Sequence, residues 1–188
     1  MHCDVAIVGG GPAGLMAAEV LAQGGASVHL FDAMPSIGRK FLLAGKGGLN
    51  LTHSEPHEPF ASRYAGRQAH VEPLIQAFGG PEIRTWAQAL GVETFVGTSG
   101  RVFPADLKAA PLLRAWLQRL RAQGVQFHMR HRWLGWGDDG ALRFAAPAGE
   151  VQVTAKAVVL ALGGARGAPR GPGGAGPRLL TGRGGRVA

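Results

Sequence analysis

The clearest chemistry in this chain lies in Gly9, Gly11 and Gly14, spaced Gly-x-Gly-x-x-Gly, and in Asp32, eighteen residues after the last of them. Glycine at the first position permits a tight turn, and at the second it lets the main chain approach a pyrophosphate. At the third it lets a helix pack closely on a strand. Pro12 and Ala13 fall at the start of that helix, where free N–H groups and the helix dipole favour negative charge. An acid at position 32 can accept hydrogen bonds from both hydroxyls of an adenosine ribose, and it would repel a 2′-phosphate. These residue types in this order point to dinucleotide binding. The spacing also arises by chance in a chain with 31 glycines, so the surrounding elements must decide.

Those elements fall in the required order. Val5–Val8 reads as a short buried parallel strand, and a helical pattern runs from Ala13 to about Gln23. A second strand, Ser27–Phe31, delivers Asp32 at its end. The competing reading is an ordinary strand–turn–helix with a solvated aspartate. Further on, residues 68 to 90 predict two short helices divided by Gly79-Gly80-Pro81. Ala109–Gln123 predicts a stronger helix, with Leu112, Leu113, Trp116, Leu117 and Leu120 on one face. Val125–Arg130 reads as a third parallel strand. Arg132–Trp136, Ala141–Ala145 and Val151–Ala155 read as a three-stranded meander, with a turn at Asp138-Asp139-Gly140. A last apolar run, Ala157–Leu162, ends in Gly163-Gly164.

The segment Gly38-Arg39-Lys40-Phe41-Leu42-Leu43-Ala44-Gly45-Lys46-Gly47-Gly48-Leu49-Asn50-Leu51-Thr52-His53-Ser54-Glu55, with Gly100-Arg101-Val102-Phe103-Pro104, resembles the bacterial FAD-dependent flavoproteins described as aminoacetone-oxidase-like or BaiN-like. The resemblance covers about residues 3 to 164. The larger family carries a Gly-Gly-Gly-Arg-Cys-Asn type segment where this chain has Gly45-Lys46-Gly47-Gly48-Leu49-Asn50, which looks like a subgroup pattern. The fold the resemblance implies is α/β, a glutathione-reductase-like FAD-binding Rossmann domain with a parallel sheet plus a three-stranded β-meander, incomplete at the C-terminus. It implies an FAD-binding part over residues 1–162, with a helical insertion at about 56–123. It places cofactor contacts at Gly9, Gly11, Pro12, Ala13, Gly14, Asp32, Ala33, Gly38, Arg39, Lys40, Lys46, Asn50, Thr52, Trp133, Ala161 and Gly163. At Trp133 the resemblance implies that the backbone meets the adenine, and the alternative for Trp133 and Trp136 is cross-strand packing. NAD(P)H enters as a candidate electron donor, and no catalytic residue is assigned.

The residues of that segment suit a flavin on their own terms. Glycines let backbone lie against a flat ring, Arg39 and Lys40 can neutralise pyrophosphate, and Lys46 or the N–H groups of residues 47 to 52 can stabilise negative charge on a reduced flavin. The bland reading is a solvated basic loop, and for Lys46 the two stand level. His53 reads first as a structural histidine and only second as a proton carrier.

The formal charge of +8 and a pI near 11 suggest an acidic partner at first sight. Residues 163–188, however, hold five arginines and no acids, and without them fifteen basic residues face twelve acidic ones, or +3. Twenty-two of those 26 residues are Gly, Arg, Ala or Pro, with no aromatic among them. Two explanations compete: an Arg/Gly-rich arm that binds RNA, or out-of-frame translation of a GC-rich gene. The lack of aromatics for base stacking favours the second and makes nucleic acid an unlikely partner. The expectation is a flavoprotein fragment, inactive and weak for FAD alone. An NAD-dependent dehydrogenase and a nonfunctional truncation product with a sticky basic tail are the alternatives. The lone cysteine, Cys3, fits a reducing cytoplasm, and no run approaches membrane-spanning length. His128-x-x-His131 lacks the partners of a metal site.

Overall fold

The computed structural model describes residues 1–163, and the readings that concern Gly164 and the rest of the tail lie outside the described residues. In chain order the elements are β1 (His2–Val8), α1 (Pro12–Gln23), β2 (Val28–Asp32), α2 (Arg39–Ala44), β3 (Thr52–His53), α3 (His57–Ser62), α4 (Gln68–Ala77), α5 (Gly80–Ala89), β4 (Thr94–Val96), β5 (Arg101–Pro104), α6 (Ala109–Ala122), β6 (Gln126–Met129), β7 (Arg132–Trp136), β8 (Leu142–Ala146) and β9 (Gly149–Leu160). They form two compact units. One comprises Met1–Arg39 with the chain from Leu120 on, and the other is Lys40–Arg119.

The first unit is built on a six-stranded sheet of order β6-β2-β1-β9-β8-β7. β6, β2, β1 and β9 are parallel, and β9, β8 and β7 form the antiparallel meander. Side chains alternate across a strand, so each face of this sheet can be read from the register. Ile7 pairs with Leu30, both wholly buried, on the face covered by α1 through Leu15 and Ala18. Ala6, Val8 and Phe31 point the other way. They form a second core with Trp133, Leu142, Phe144 and Val153 of the meander.

The structure corrects one reading of the sheet. Val151–Ala155 and Ala157–Leu162 are not two strands but one, β9, twelve residues long. Its first part pairs antiparallel with β8 over Gly149–Val153, and its second pairs parallel with β1 over Thr154–Leu160. Lys156 breaks the apolar run without being a turn: its ammonium meets the Asp4 carboxylate at 2.7 Å and helps to tie β9 to β1. That pairing also holds the Asp4 carboxyl below the usual carboxylate range, the Lys156 bond being the largest cause and the Ser27 N–H the next. Over Thr154–Leu160 β9 pairs with β1 alone among the described residues, and Ala157 and Val158 are exposed there.

The second unit contains a small antiparallel sheet, β3-β5-β4, and helices packed on a core of Leu49, Ala87, Ala109 and Leu112. Trp86 meets Trp116 edge-on with centroids 4.7 Å apart, so Trp116 is a core residue as its helical spacing suggests. The stretch after Gly38 is not a glycine loop at its start. Arg39–Ala44 folds as a helix, as a run of good helix formers should, and Gly45–Gly47 closes it with a single 3-10 turn.

Candidate functional site: a glycine turn facing an acid

Three glycines of the β1–α1 turn serve different ends, and added methyl groups separate them. Gly9 sits at φ +110°, a conformation that favours glycine, and a Cβ there would lie 2.3 Å from the Ala161 carbonyl oxygen. A Cβ on Gly14 would fall within 1.9 Å of the Gly9 carbonyl oxygen. Both are therefore required by the protein's own packing of β1, α1 and the end of β9. Gly11 is not. Its φ is −83° and a Cβ on it would meet no atom of the described residues within 4 Å. Neither conformation nor the described neighbours ask for glycine at position 11.

Helix α1 starts at this point with Pro12 at its first position, Gly11 as its N-cap, no capping side chain and no acid in its first turn. Among the described residues no side chain caps its first N–H groups. Pro12 and Ala13 are exposed and Gly14 is buried. The turn is anchored by Gly9 N–H donating to the Phe31 carbonyl (2.8 Å) and by Ala161 N–H donating to the Val8 carbonyl (2.8 Å).

Asp32 ends β2 beside this turn. Its Oδ2 accepts the Gly10 N–H and its Oδ1 accepts the Met34 N–H, each at 2.7 Å. Two backbone donors fix the carboxylate plane, and each oxygen keeps a lone pair for a further donor. Gly38 N–H donates to the Gly10 carbonyl (2.9 Å), which closes the loop after β2 onto the turn. The turn after β6 is tied to the same loop: His131 N–H donates to the Asp32 carbonyl (2.9 Å) and Arg130 N–H to the Met34 carbonyl (3.0 Å). Immediately beyond Asp32 opens a cleft of about 550 Å³ lined by Ala33, Arg130, Arg132, Ala145, Ala146 and Pro147.

The structure thus brings Gly9, Gly11, Pro12, Ala13, Gly14, Asp32, Ala33, Gly38 and Ala161 together within one unit. Arg39 and Gly163 are exposed in the same unit. Trp133 is different. Its ring is 7 % exposed and lies in the core, edge-on to Trp136 at 4.7 Å. That contact runs along one strand, not between strands. Residues three apart face opposite sides of a regular strand, but a register shift between Trp133 and Gly135 turns Trp136 back onto its neighbour. The Trp133 indole N–H is buried without a partner among the described residues. Four participants escaped the sequence reading: Gly10, Met34, Arg130 and His131. Gly10 alone carried a signal, as the middle of a glycine triplet.

Lys40, Lys46, Asn50 and Thr52 belong to the second unit. Lys40, Lys46 and Asn50 are exposed, and Thr52 is buried, in register with Val102. His53 is a structural staple. Its Nδ1 accepts the Glu55 N–H (3.1 Å), which leaves Nε2 to donate to the Ser99 carbonyl (3.0 Å). The ring fills the space beside Gly100, where φ is +78° and a Cβ would come within 2.6 Å of it. Gly100→Ala is therefore expected to lower stability by about 2 kcal/mol in urea unfolding.

The fold and this turn define the chain's class: a Rossmann-type domain of the flavoprotein kind, with a parallel-dominated sheet and a meander. The chain belongs to the family described as HI0933-like protein Rossmann domain, which it matches over residues 3–188. It is 31% identical over 127 residues to the 3-dehydro-bile acid delta(4,6)-reductase of Clostridium scindens, a match that covers 66% of this chain and 30% of that protein. Its fold is similar to that of a flavocytochrome c3 fumarate reductase in the open conformation (TM-score 0.67, 21% identity, 87% of this chain and 34% of that one). It is also similar to the 3-ketosteroid-delta4-(5alpha)-dehydrogenase of Rhodococcus jostii RHA1 (TM-score 0.64, 18% identity, 86% of this chain and 46% of that one). The chain spans under a third of the length of the curated relative and less than half of either of these structures. No helix among the described residues is long and apolar enough to cross a membrane.

Proposed function

We propose that this chain supplies the dinucleotide-binding part of an FAD-dependent oxidoreductase, with Gly9–Gly14 and Asp32 holding the adenosine diphosphate end of FAD. The observation that carries the reading is Gly11, a glycine that the protein's own packing does not require and that stands at an uncapped helix N-terminus. A pyrophosphate over Gly11 meets the free N–H groups of α1 and its dipole. The Asp32 carboxylate, already oriented by Gly10 and Met34, accepts the ribose hydroxyls, and the base enters the cleft that opens at Ala33. Pro12 and Ala13 border the phosphates. Gly38 and Ala161 hold the turn in shape, and Arg39 adds positive charge.

Trp133 acts from within the core, by supporting the meander beside the cleft. Gly163 enters this reading through the family resemblance alone, whereas Lys40, Lys46, Asn50 and Thr52 enter it also through the charge and N–H groups that their segment offers a pyrophosphate and a reduced flavin. Bound FAD would supply hydride or two-electron transfer at its ring. The reaction class, reduction or oxidation of an organic substrate, follows the naming of the Clostridium relative as a reductase. NAD(P)H is the electron donor in this reading, and the single cysteine favours a reducing cytoplasm. The family match runs over residues 3–188 and so takes in the tail, whose reading as an out-of-frame stretch stays a proposal.

Isothermal titration of the full chain with FAD, NAD⁺ and NADP⁺ tests the proposal. FAD is expected to bind at least about tenfold more tightly than either nicotinamide dinucleotide. Equal or tighter binding of NAD⁺ would move the assignment to a nicotinamide-dependent dehydrogenase.

A further inference from the structure

Behind Asp32 lies a column of rings that the dinucleotide site does not use. His128 of β6 is in register with Phe31 of β2 and stacks on it, with centroids 4.5 Å apart and planes at 13°. Phe31 stacks in turn on Phe144 (4.3 Å, 19°). His29 also stacks on His128 (5.1 Å, 23°) and lies 6.4 Å from Phe31, with His128 Nε2 3.1 Å from His29 Nδ1. His131 meets His128 edge-on at 5.5 Å.

The groups that face His128 are bases or uncharged rings. β2 contributes His29 and Phe31 and the turn after β6 contributes His131, while Phe144 of β8 meets Phe31 and His131. Beyond His29 stand Met1, whose Sδ is 3.3 Å from His29 Nδ1, and the N-terminal ammonium. Burial, then His29, then His131 push the His128 pKa down to about 4. Burial and the ammonium lower that of His29 as well.

The column is mechanically joined to the acid. The two residues that follow Met129, Arg130 and His131, are the ones whose N–H groups hold the carbonyls of Met34 and Asp32. Arg130 does so from a left-handed backbone, φ +60°, which holds only while the turn is packed in place. Whatever separates β6 from β2 thus reaches Asp32–Met34 through two hydrogen bonds.

We propose that this histidine stack is a proton-driven latch: protonation of His128 loosens β6 and its following turn from β2, releases the Asp32–Met34 loop, and so weakens binding at the dinucleotide's adenosine end. The link to binding rests on the FAD reading above, whereas the loosening itself does not. A histidine held neutral in the closed form binds fewer protons than in the open form. The closed form is therefore fully favoured above the ordinary histidine pKa and loses ground as pH falls toward 4. Full linkage over that interval would favour opening about thirtyfold at pH 5, and partial solvent access to His128 reduces this to about tenfold.

The test uses the full chain and His128→Phe, which keeps a stacking ring but cannot titrate. Amide exchange at Arg130 and His131, corrected for intrinsic rates, and FAD affinity are measured at pH 7.5 and 5.0. In the unaltered chain both amides should lose about tenfold in protection, and FAD affinity should fall about tenfold, at the lower pH. In His128→Phe both changes should shrink below about twofold. Unchanged amide protection in the unaltered chain, or an equal loss in the variant, overturns the latch. If the variant does not fold, NMR titration of the His128 ring decides: its midpoint must coincide with exposure of the two amides, and a mismatch overturns the proposal. Absence of FAD binding at both pH values would sink the dinucleotide reading while the amides judge the latch separately.

Discussion

Gly11→Ala is expected to abolish dinucleotide binding while leaving the fold intact, and Gly14→Ala to do damage of the opposite kind. At position 11 the added methyl meets no atom of the described residues within 4 Å and the backbone is already in a region open to alanine. The stability change should stay below about 1 kcal/mol, the usual scale for exchanging an N-cap residue. The same methyl stands where a pyrophosphate must approach, so FAD affinity should fall by about a hundredfold or more. At position 14 the methyl falls 1.9 Å from the Gly9 carbonyl oxygen, and α1 must move off the sheet. That variant should lose about 3 kcal/mol or more in urea unfolding. Gly9→Ala should follow it, since the overlap with the Ala161 carbonyl is joined by an unfavourable φ. If Gly11→Ala proved as destabilising as Gly14→Ala, glycine at 11 would be serving the fold, and the argument for a ligand there would fail.

Asp32 should show both effects at once. Asp32→Ala strands the N–H groups of Gly10 and Met34, which the carboxylate now accepts at 2.7 Å each. Losing two charge-assisted acceptors beside a buried glycine should cost about 2–4 kcal/mol. Asp32→Asn keeps one oxygen acceptor but faces the second N–H with an amide donor, so about half that loss is expected. Both variants should lower FAD affinity at least about tenfold, because the ribose hydroxyls then lack a carboxylate. A Asp32→Asn variant that matched the unaltered chain in affinity would place the ribose elsewhere.

The β1–α1–β2 unit was legible because its signals are local: an apolar run, glycines at fixed spacing, a helical period and an acid after the second strand. The meander was legible in its first two strands from alternation and the Asp138-Asp139-Gly140 turn. β9 was not, since Lys156 interrupts its apolar pattern and only pairing with β8 on one stretch and β1 on the next makes it continuous. β3, β4 and β5, two to four residues long, are too short to display a period of two.

At the site, sequence found the glycines and Asp32 but not what orients the carboxylate. The Gly10 and Met34 N–H groups and the Arg130–His131 turn have no side-chain signature, because each contributes through its backbone. The His29–His128 stack joins residues 99 positions apart and depends on the β2–β6 register, which no short-range pattern encodes. The Trp133 ring packs in the core, and the adenine contact that the resemblance implies there is one of the backbone, which a buried ring leaves open; among the described residues its indole N–H has no partner.

Thermal unfolding of the full chain and of Gly11→Ala, each with and without saturating FAD, tests the central claim most directly. A ligand that binds only the folded state stabilises it by RT ln(1 + [L]/Kd) and so raises its melting temperature. The expected result is a clear rise for the unaltered chain and none for Gly11→Ala, with nearly equal melting temperatures before FAD is added. A rise of the same size in both, or in neither, would contradict the assignment of the Gly9–Gly14 turn as the FAD pyrophosphate site.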